Sequence, residues 1–338
     1  MKSVVIEQPG RLTLAQRPLP QPADDEVRVR VRLAGICGSD VHIYHGHNPF
    51  ARYPRVIGHE FCGVIDAVGA NVDAARIGER VTVDPVVSCG HCYPCSVGRP
   101  NVCHQLQVIG VHRDGGFSDF SCVPAANAYR IPDALSDRQA AMVEPFTIAA
   151  NITAHLQPTA RDVALIYGAG PMGLTAIQVL KGVYGVRQVI VADRIAARLE
   201  MAFANGADEV VDNQQTPLAE VLAQRGIRPT LIIDAACHPD ILPQAIELAS
   251  PAARIGIMGF SAEPCVINQQ SITAKELSIF SSRLNSARFP QVIDWMAEGR
   301  IAPERLITHS VAADDVEAAL HLFEHDRQTC CKVLLQFG

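Results

Sequence analysis

Aromatic residues are scarce, 5% of the 338-residue chain with a single tryptophan, while hydrophobic residues make up 48%. A chain so rich in aliphatic side chains buries a large core, and global disorder is excluded. Charged residues are also sparse at 19%, and basic ones are in deficit: 29 Lys and Arg against 35 Asp and Glu give a net charge of −6 with the 12 histidines neutral. A mildly acidic surface does not attract polyanions, so no nucleic-acid and no anionic-membrane partner is expected. No signal-peptide stretch opens the chain, because MKSVVIEQPGRLTL soon reaches Glu7 and Pro9. The LLQFG end lacks a prenylation motif. The longest uncharged run, Val163 to Leu180, is interrupted by Gly168, Gly170, Pro171 and Gly173, which suits a strand–turn–helix better than a membrane span. Internal repeats, low-complexity tracts and long linkers are lacking too. The expectation is a soluble cytoplasmic protein of about two domains.

Cysteine is not lacking, but it is uneven. Of eleven cysteines, Cys89, Cys92, Cys95 and Cys103 crowd into C-G-H-C-Y-P-C-S-V-G-R-P-N-V-C. An odd total without an export signal argues against a disulfide framework. Two-residue gaps let neighbouring sulfurs face one ion, and Cys103 closes the tetrahedron. A zinc ion with four thiolates has no open position, so this site would be structural, fixing a loop with little apolar core. Zinc is the expected ion, and spacing alone leaves an iron–sulfur cluster open.

The texture of the chain changes near residue 150. Before it, short β patterns alternate with Gly/Pro turns. EVRVRVRLAGI alternates charged and apolar residues like a half-exposed strand, and RVIGHEFCGVIDAVG and GERVTVDPVV read as further strands. After about 160, strands alternate with helices: DVALIYGAG, QVIVAD, DEVVD, TLIIDAA and ARIGIMGF are strands, with helical stretches between them. That alternation predicts a doubly wound parallel sheet in an α/β fold. The tail from about 286 holds a helix around Trp295, a helix around Leu320 and a last strand at KVLLQF.

Gly168, Gly170 and Gly173 form G-x-G-x-x-G between an apolar strand and a helix, with Pro171 and Met172 in the turn. The first glycine permits the turn, the second lets backbone approach a pyrophosphate, and the third lets helix pack on strand. The pyrophosphate then meets free N–H groups at a helix N-terminus. Asp193 ends the next strand, where a carboxylate binds the adenosine ribose hydroxyls and repels a 2′-phosphate; this points to NAD. Arg194 and Arg198 are positioned to soften that preference. The competing reading is a glycine turn that binds nothing, with Asp193 as a helix cap.

Three further stretches carry metal-ligand residue types: Cys37-Gly38-Ser39-Asp40-Val41-His42, Gly58-His59-Glu60 and Val143-Glu144-Pro145. Thiolate, imidazole and carboxylate form a reasonable catalytic zinc set. By pattern alone a His–Glu pair is more often a surface or satisfied pair, and Cys37 reads also as a core residue. The order Gly58-His59-Glu60-x-x-Gly63, Gly69, Val72, taken with the four-cysteine loop and the glycine turn, resembles the zinc-dependent medium-chain alcohol/polyol dehydrogenases over essentially the whole chain. GHNPFARYPRVIGHE, DPVVSCGHCYPC, VEPFTIAAN and IIDAACHP are similar to the sorbitol-dehydrogenase-like branch, and within it to the bacterial starvation-sensing protein B group with its relatives the L-gulonate, L-galactonate and L-idonate 5-dehydrogenases.

The resemblance implies a GroES-like β catalytic domain over 1–150, a Rossmann NAD-binding domain over 151–285, and a return of 286–338 to the first, with the active site in the cleft between them. It implies Cys37, His59 and Glu144 at the catalytic zinc, with Glu60 as a second candidate carboxylate; which glutamate binds directly stays open. Asp40 would orient His59, and Ser39 and His42 would relay the proton. Cys89, Cys92, Cys95 and Cys103 would hold structural zinc. The implied reaction is hydride transfer from a secondary alcohol to NAD, the substrate being a sugar acid oxidised at C5, L-gulonate to D-fructuronate first. Polyol or L-threonine 3-dehydrogenase is the alternative within the enzyme class, and an NAD-sensing regulatory zinc protein the alternative outside it. Arg283 and Arg113 are the candidate partners of a substrate carboxylate. A homodimer or homotetramer is the oligomer the family implies.

Overall fold

The computed structural model describes residues 1–338. The chain divides into two compact units, Met1–Glu144 with Ser286–Gly299 and Pro303–Gly338, and Pro145–Asn285 with Arg300–Ala302. The first division falls inside the helix Val143–Leu156, a few residues before 150. The short return of Arg300–Ala302 is fastened by the Arg300 guanidinium on Val183 O and by Ala302 N on Gln178 Oε1, at 2.6 and 2.7 Å.

The first unit is built on a seven-stranded sheet. Its order runs Ala128–Arg130, Arg80–Val83, Glu60–Val68, Glu26–Gly35, Lys332–Gln336, Ile307–Ala312, with Phe120–Pro124 also paired to Glu26–Gly35. Only the last pair in this order is parallel. The alternation in Glu26–Gly35 has the expected consequence: Val27, Val29 and Val31 are buried while Arg30 and Arg32 are exposed. Arg28 departs from it. It is buried because Asp66 accepts from Nε and Nη2 at 2.9 and 3.0 Å and its guanidinium lies over the Phe120 ring. The strand Ile307–Ala312 was not foreseen; its exposure pattern alternates, but His309 and Ser310 dilute the apolar signal.

The second unit is a six-stranded, all-parallel sheet. In order its strands are Glu209–Asp212, Gln188–Asp193, Val163–Tyr167, Leu231–Asp234, Arg254–Ile257 and Ser278–Ser281. Five follow the pattern predicted from sequence. Ser278–Ser281 escaped it, being short, edge-placed and half polar. The central strand VALIY is buried at every position, as a strand covered by helices on both faces must be. Leu165, Tyr167, Ile190, Ile232 and Ile255 pack with Leu222 and Ala245 from the covering helices. No helix of the chain is long and apolar enough to cross a membrane.

Candidate active site and metal centres

The glycine turn follows the strand Val163–Tyr167 and opens the helix Pro171–Gln178, with proline in its first turn. Gly168 has φ +96°, which favours glycine. A Cβ on Gly173 would lie 1.9 Å from Gly168 O, so only glycine allows the helix this close to the strand. A Cβ on Gly170 would meet nothing nearer than Arg198 Nη1 at 3.9 Å, leaving that backbone open to a ligand. Met172 lies in the same first turn, where its carbonyl accepts from Thr175 Oγ1. Asp193, at the end of the neighbouring strand, accepts from Ala169 N at 2.7 Å through one oxygen, and from Arg194 N and Ile195 N at 2.7 and 2.9 Å through the other. The carboxylate therefore braces the turn as well as marking the strand end. Arg194 is exposed beside it.

The four loop cysteines converge. Their sulfurs all lie within 4.8 Å of one another, with Cys92–Cys95 at 3.5 Å, Cys92–Cys103 at 3.6 Å and Cys103–Cys89 at 3.4 Å, and none is in a disulfide. Four thiolates at 2.3 Å from a tetrahedral zinc stand about 3.8 Å apart, so the loop is nearly drawn to that shape. The N–H groups of Cys95 and His104 pull the Cys92 thiol down to about 6, so it is largely thiolate at neutral pH. Burial instead pushes Cys95 up to about 11. The loop's own apolar side chains do not hold it together: Tyr93 is 73% exposed and Val97 51%.

The scattered residues also converge. Cys37 precedes the helix Gly38–Tyr44, and His59 and Glu60 stand where the strand Glu60–Val68 begins; one donor atom from each lies within 4.8 Å of the others. Gly58, at φ +91°, turns the chain into this position, and its N–H donates to Asp40 Oδ1 at 3.2 Å. Asp40 is wholly buried, accepts from Cys37 N at 2.9 Å through Oδ2, and places Oδ1 3.7 Å from His59 Nδ1. That last approach is an ion-pair distance, and His59 Nδ1 has no hydrogen-bond partner. Burial works against charge on His59, but the Asp40 charge together with Cys37 prevails and holds its pKa well above the usual imidazole value.

Glu144 lies outside this trio. It is 4% exposed at the start of the helix Val143–Leu156, and burial pushes its carboxyl up to about 8 despite the opposing pull of His59. Glu60 is held differently. Lys332, a residue the sequence pattern did not flag, donates to both Glu60 oxygens at 2.7 and 2.5 Å and to Ile36 O at 3.0 Å. Both side chains are 1% exposed. The one available signal was a lysine opening an otherwise apolar strand. Gly35 completes the cradle, because a Cβ there would lie 2.3 Å from Glu60 Oε2.

Ser39 and His42 share the Gly38–Tyr44 helix three residues apart, a spacing that puts them on one face. Ser39 Oγ is buried without a partner, and His42 is exposed with its ring 6.2 Å from that of His47. The two candidate arginines separate. Arg113 is engaged by Glu26, so its charge is already answered. Arg283 lies over the Phe260 ring at 5.6 Å.

Residues 23–133 match the alcohol dehydrogenase GroES-like domain and residues 171–298 the zinc-binding dehydrogenase domain. The chain is 65% identical over 338 residues to starvation-sensing protein RspB of Escherichia coli (strain K12), with all of both chains covered. It is 34% identical over 318 residues to the L-galactonate-5-dehydrogenase of the same strain, covering 91% of each. A crystal structure of the short chain alcohol dehydrogenase rspB from E. coli CFT073, complexed with cofactor NADH, superposes with a TM-score of 0.98 at 64% identity, covering 100% of this chain and 99% of that one.

Proposed function

We infer the reaction from one premise: this chain belongs to the zinc-containing medium-chain alcohol dehydrogenase family. It is an NAD-dependent oxidoreductase of that class. We assign its substrate as a six-carbon sugar acid oxidised at the C5 hydroxyl, L-gulonate to D-fructuronate before others. The observation that carries the reading is the convergence of half-buried Cys37 with buried His59 and Glu60, together with the unpartnered Ser39 hydroxyl. Mere binding of a nucleotide requires neither. The 5-dehydrogenase relative supports the position of oxidation.

The donor sets fit the metal and coenzyme that the family implies. Cys37, His59 and Glu60 would hold the catalytic zinc, with Glu144 close enough electrostatically to respond to it. Cys89, Cys92, Cys95 and Cys103 would hold the structural zinc. The open backbone at Gly170, the first turn at Pro171 and Met172, and Asp193 would take the pyrophosphate and ribose of NAD. When bound, zinc supplies Lewis acidity to an alcohol oxygen and NAD accepts a hydride. The chain's own residues do the rest. Asp40 sets the position of Cys37 and the face of His59. Ser39 Oγ takes the hydroxyl proton and passes it towards His42, whose exposed imidazole hands it on to solvent. Lys332 fixes the Glu60 carboxylate. With Arg113 occupied by Glu26, Arg283 is the residue we assign to the substrate carboxylate.

The test is turnover of purified protein with NAD against a panel of aldonates, polyols and L-threonine, followed at the NADH absorbance. L-Gulonate is expected to give the highest kcat/KM. Arg283→Ala should reduce efficiency strongly for the aldonate and slightly for an uncharged polyol. Faster turnover of sorbitol or L-threonine than of every aldonate would overturn the assignment.

A further inference from the structure

We propose that Asn151 is a positioning residue for the nicotinamide half of NAD: through the Ser282 hydroxyl it fixes the segment that leaves the last strand of the parallel sheet. The strand order of that sheet reverses between Val163–Tyr167 and Leu231–Asp234. On one side the chain runs outward from Val163–Tyr167 to Glu209–Asp212, and on the other from Leu231–Asp234 to Ser278–Ser281. A dinucleotide lies across the carboxyl ends of such a sheet, one nucleotide to each half. The glycine turn and Asp193 belong to the first half, which therefore takes the adenosine and leaves the nicotinamide nucleotide to the strand ends of the second. Ser282 is the first residue beyond the last of those strands, and its N–H donates to Ile257 O, at the end of the neighbouring strand, at 2.9 Å.

Asn151 reaches this point from the helix Val143–Leu156, which packs tightly on the second half of the sheet. A Cβ on Gly256 would stand 2.8 Å from Leu156 Cδ1 and 2.9 Å from Ile152 Cγ1, and the His155 ring lies parallel to that of Phe280, 6.4 Å between centroids at 10°. Asn151 is wholly buried beside buried Ala150 and Ile152, and its Nδ2 donates to Ser282 Oγ at 2.8 Å. Its Oδ1 is buried without a partner. Half of the amide is thus desolvated and unsatisfied, a cost to stability that a leucine of the same branched shape would not carry. What the asparagine supplies in exchange is the bond to Ser282. That bond occupies a lone pair of Oγ and leaves the hydroxyl proton to be donated, at a half-buried position on the coenzyme end of the sheet. Asn151 acts through Ser282 and the backbone it holds, and neither residue is among the metal-ligating groups.

The experiment measures binding to the whole protein by titration calorimetry, with two probes: NADH, and ADP-ribose, which keeps the adenosine and pyrophosphate but has no nicotinamide. Substrate is absent, so the outcome is independent of the sugar acid assigned above. Asn151→Leu and Ser282→Ala should each raise the NADH dissociation constant about tenfold, the effect of one lost hydrogen bond, and leave that of ADP-ribose within about twofold of wild type. The double variant should bind NADH no more weakly than the weaker single one, because the two side chains act as one unit. A purely structural role would leave NADH binding unchanged or weaken both probes alike. Either result overturns the proposal, and so does a double variant showing the product of the two single effects. Should Asn151→Leu fail to fold by circular dichroism, the half-buried Ser282→Ala variant decides on the same two constants.

Discussion

Replacing Lys332 by methionine tests how the Glu60 carboxylate is held. The ammonium has three protons and three acceptors, Glu60 Oε1 and Oε2 at 2.7 and 2.5 Å and Ile36 O at 3.0 Å. Burial alone would drive the lysine towards neutrality, yet the charges of Glu60 and Cys37 raise its pKa, so the pair is ionic. Methionine fills the stem's volume but leaves a carboxylate buried without its counter-ion. Breaking such a pair from one side costs about 3–5 kcal/mol. At about 2–4 °C per kcal/mol for a unit of this size, the melting temperature should fall by about 6–20 °C. The Glu60→Gln/Lys332→Met variant, with no stranded charge, should regain most of that loss. Thermal unfolding of the metal-free proteins measures both. A Lys332→Met protein melting within about 2 °C of wild type would refute the reasoning, as would a double variant no more stable than the single.

Three other outcomes follow from the same geometry. Cys95→Ser should release the loop zinc while leaving the Cys37–His59–Glu60 metal, read as loss of one zinc per chain together with a lower melting temperature, since that ion's binding free energy is folding free energy for a loop whose apolar residues face solvent; unchanged stability would sink the structural role. Asp193→Ser should raise the NADP-to-NAD ratio of kcat/KM by about ten- to a hundredfold, since one charged hydrogen bond to ribose is worth roughly 1.5–3 kcal/mol, and a ratio that does not move would remove Asp193 from coenzyme choice. Asp162 accepts from Thr159 N, from Thr230 Oγ1 and from Arg254, and these partners outweigh burial and lower its pKa. Its stabilisation is present above the unfolded carboxylate value and is lost as pH falls through the folded one. Asp162→Asn should thus cost about 3 kcal/mol at pH 7 and progressively less in acid, and a denaturant-unfolding difference independent of pH would count against it.

What the sequence displayed is what local rules govern. A buried parallel strand needs an unbroken apolar run, a nucleotide turn needs glycine at fixed spacings, and four thiolates need short gaps; all three are visible within some fifteen residues of chain. The pairing of Cys37 with His59 lies at the edge of such reasoning, because chemistry named the residue types while only the resemblance joined the two stretches. Beyond it, partners are set by the sheet. Lys332 meets Glu60 because the last strand pairs with Glu26–Gly35, which pairs in turn with Glu60–Val68, a path of two registers that no window along the chain contains. Arg113 was a free cation on paper until Glu26, 87 residues away, proved to face it. The same physics explains the glutamate that stayed open. Glu60 and Glu144 have equal chemistry as ligands, and the choice turns on which is fastened: Lys332 and the missing Cβ of Gly35 fix Glu60 among the donors, whereas Glu144, buried among other carboxylates, has its pKa pushed up to about 8. A charged residue that opens an apolar strand, as Lys332 does, is therefore a prompt to look for a buried carboxylate two strands away, and here that carboxylate is Glu60, beside Cys37 and His59.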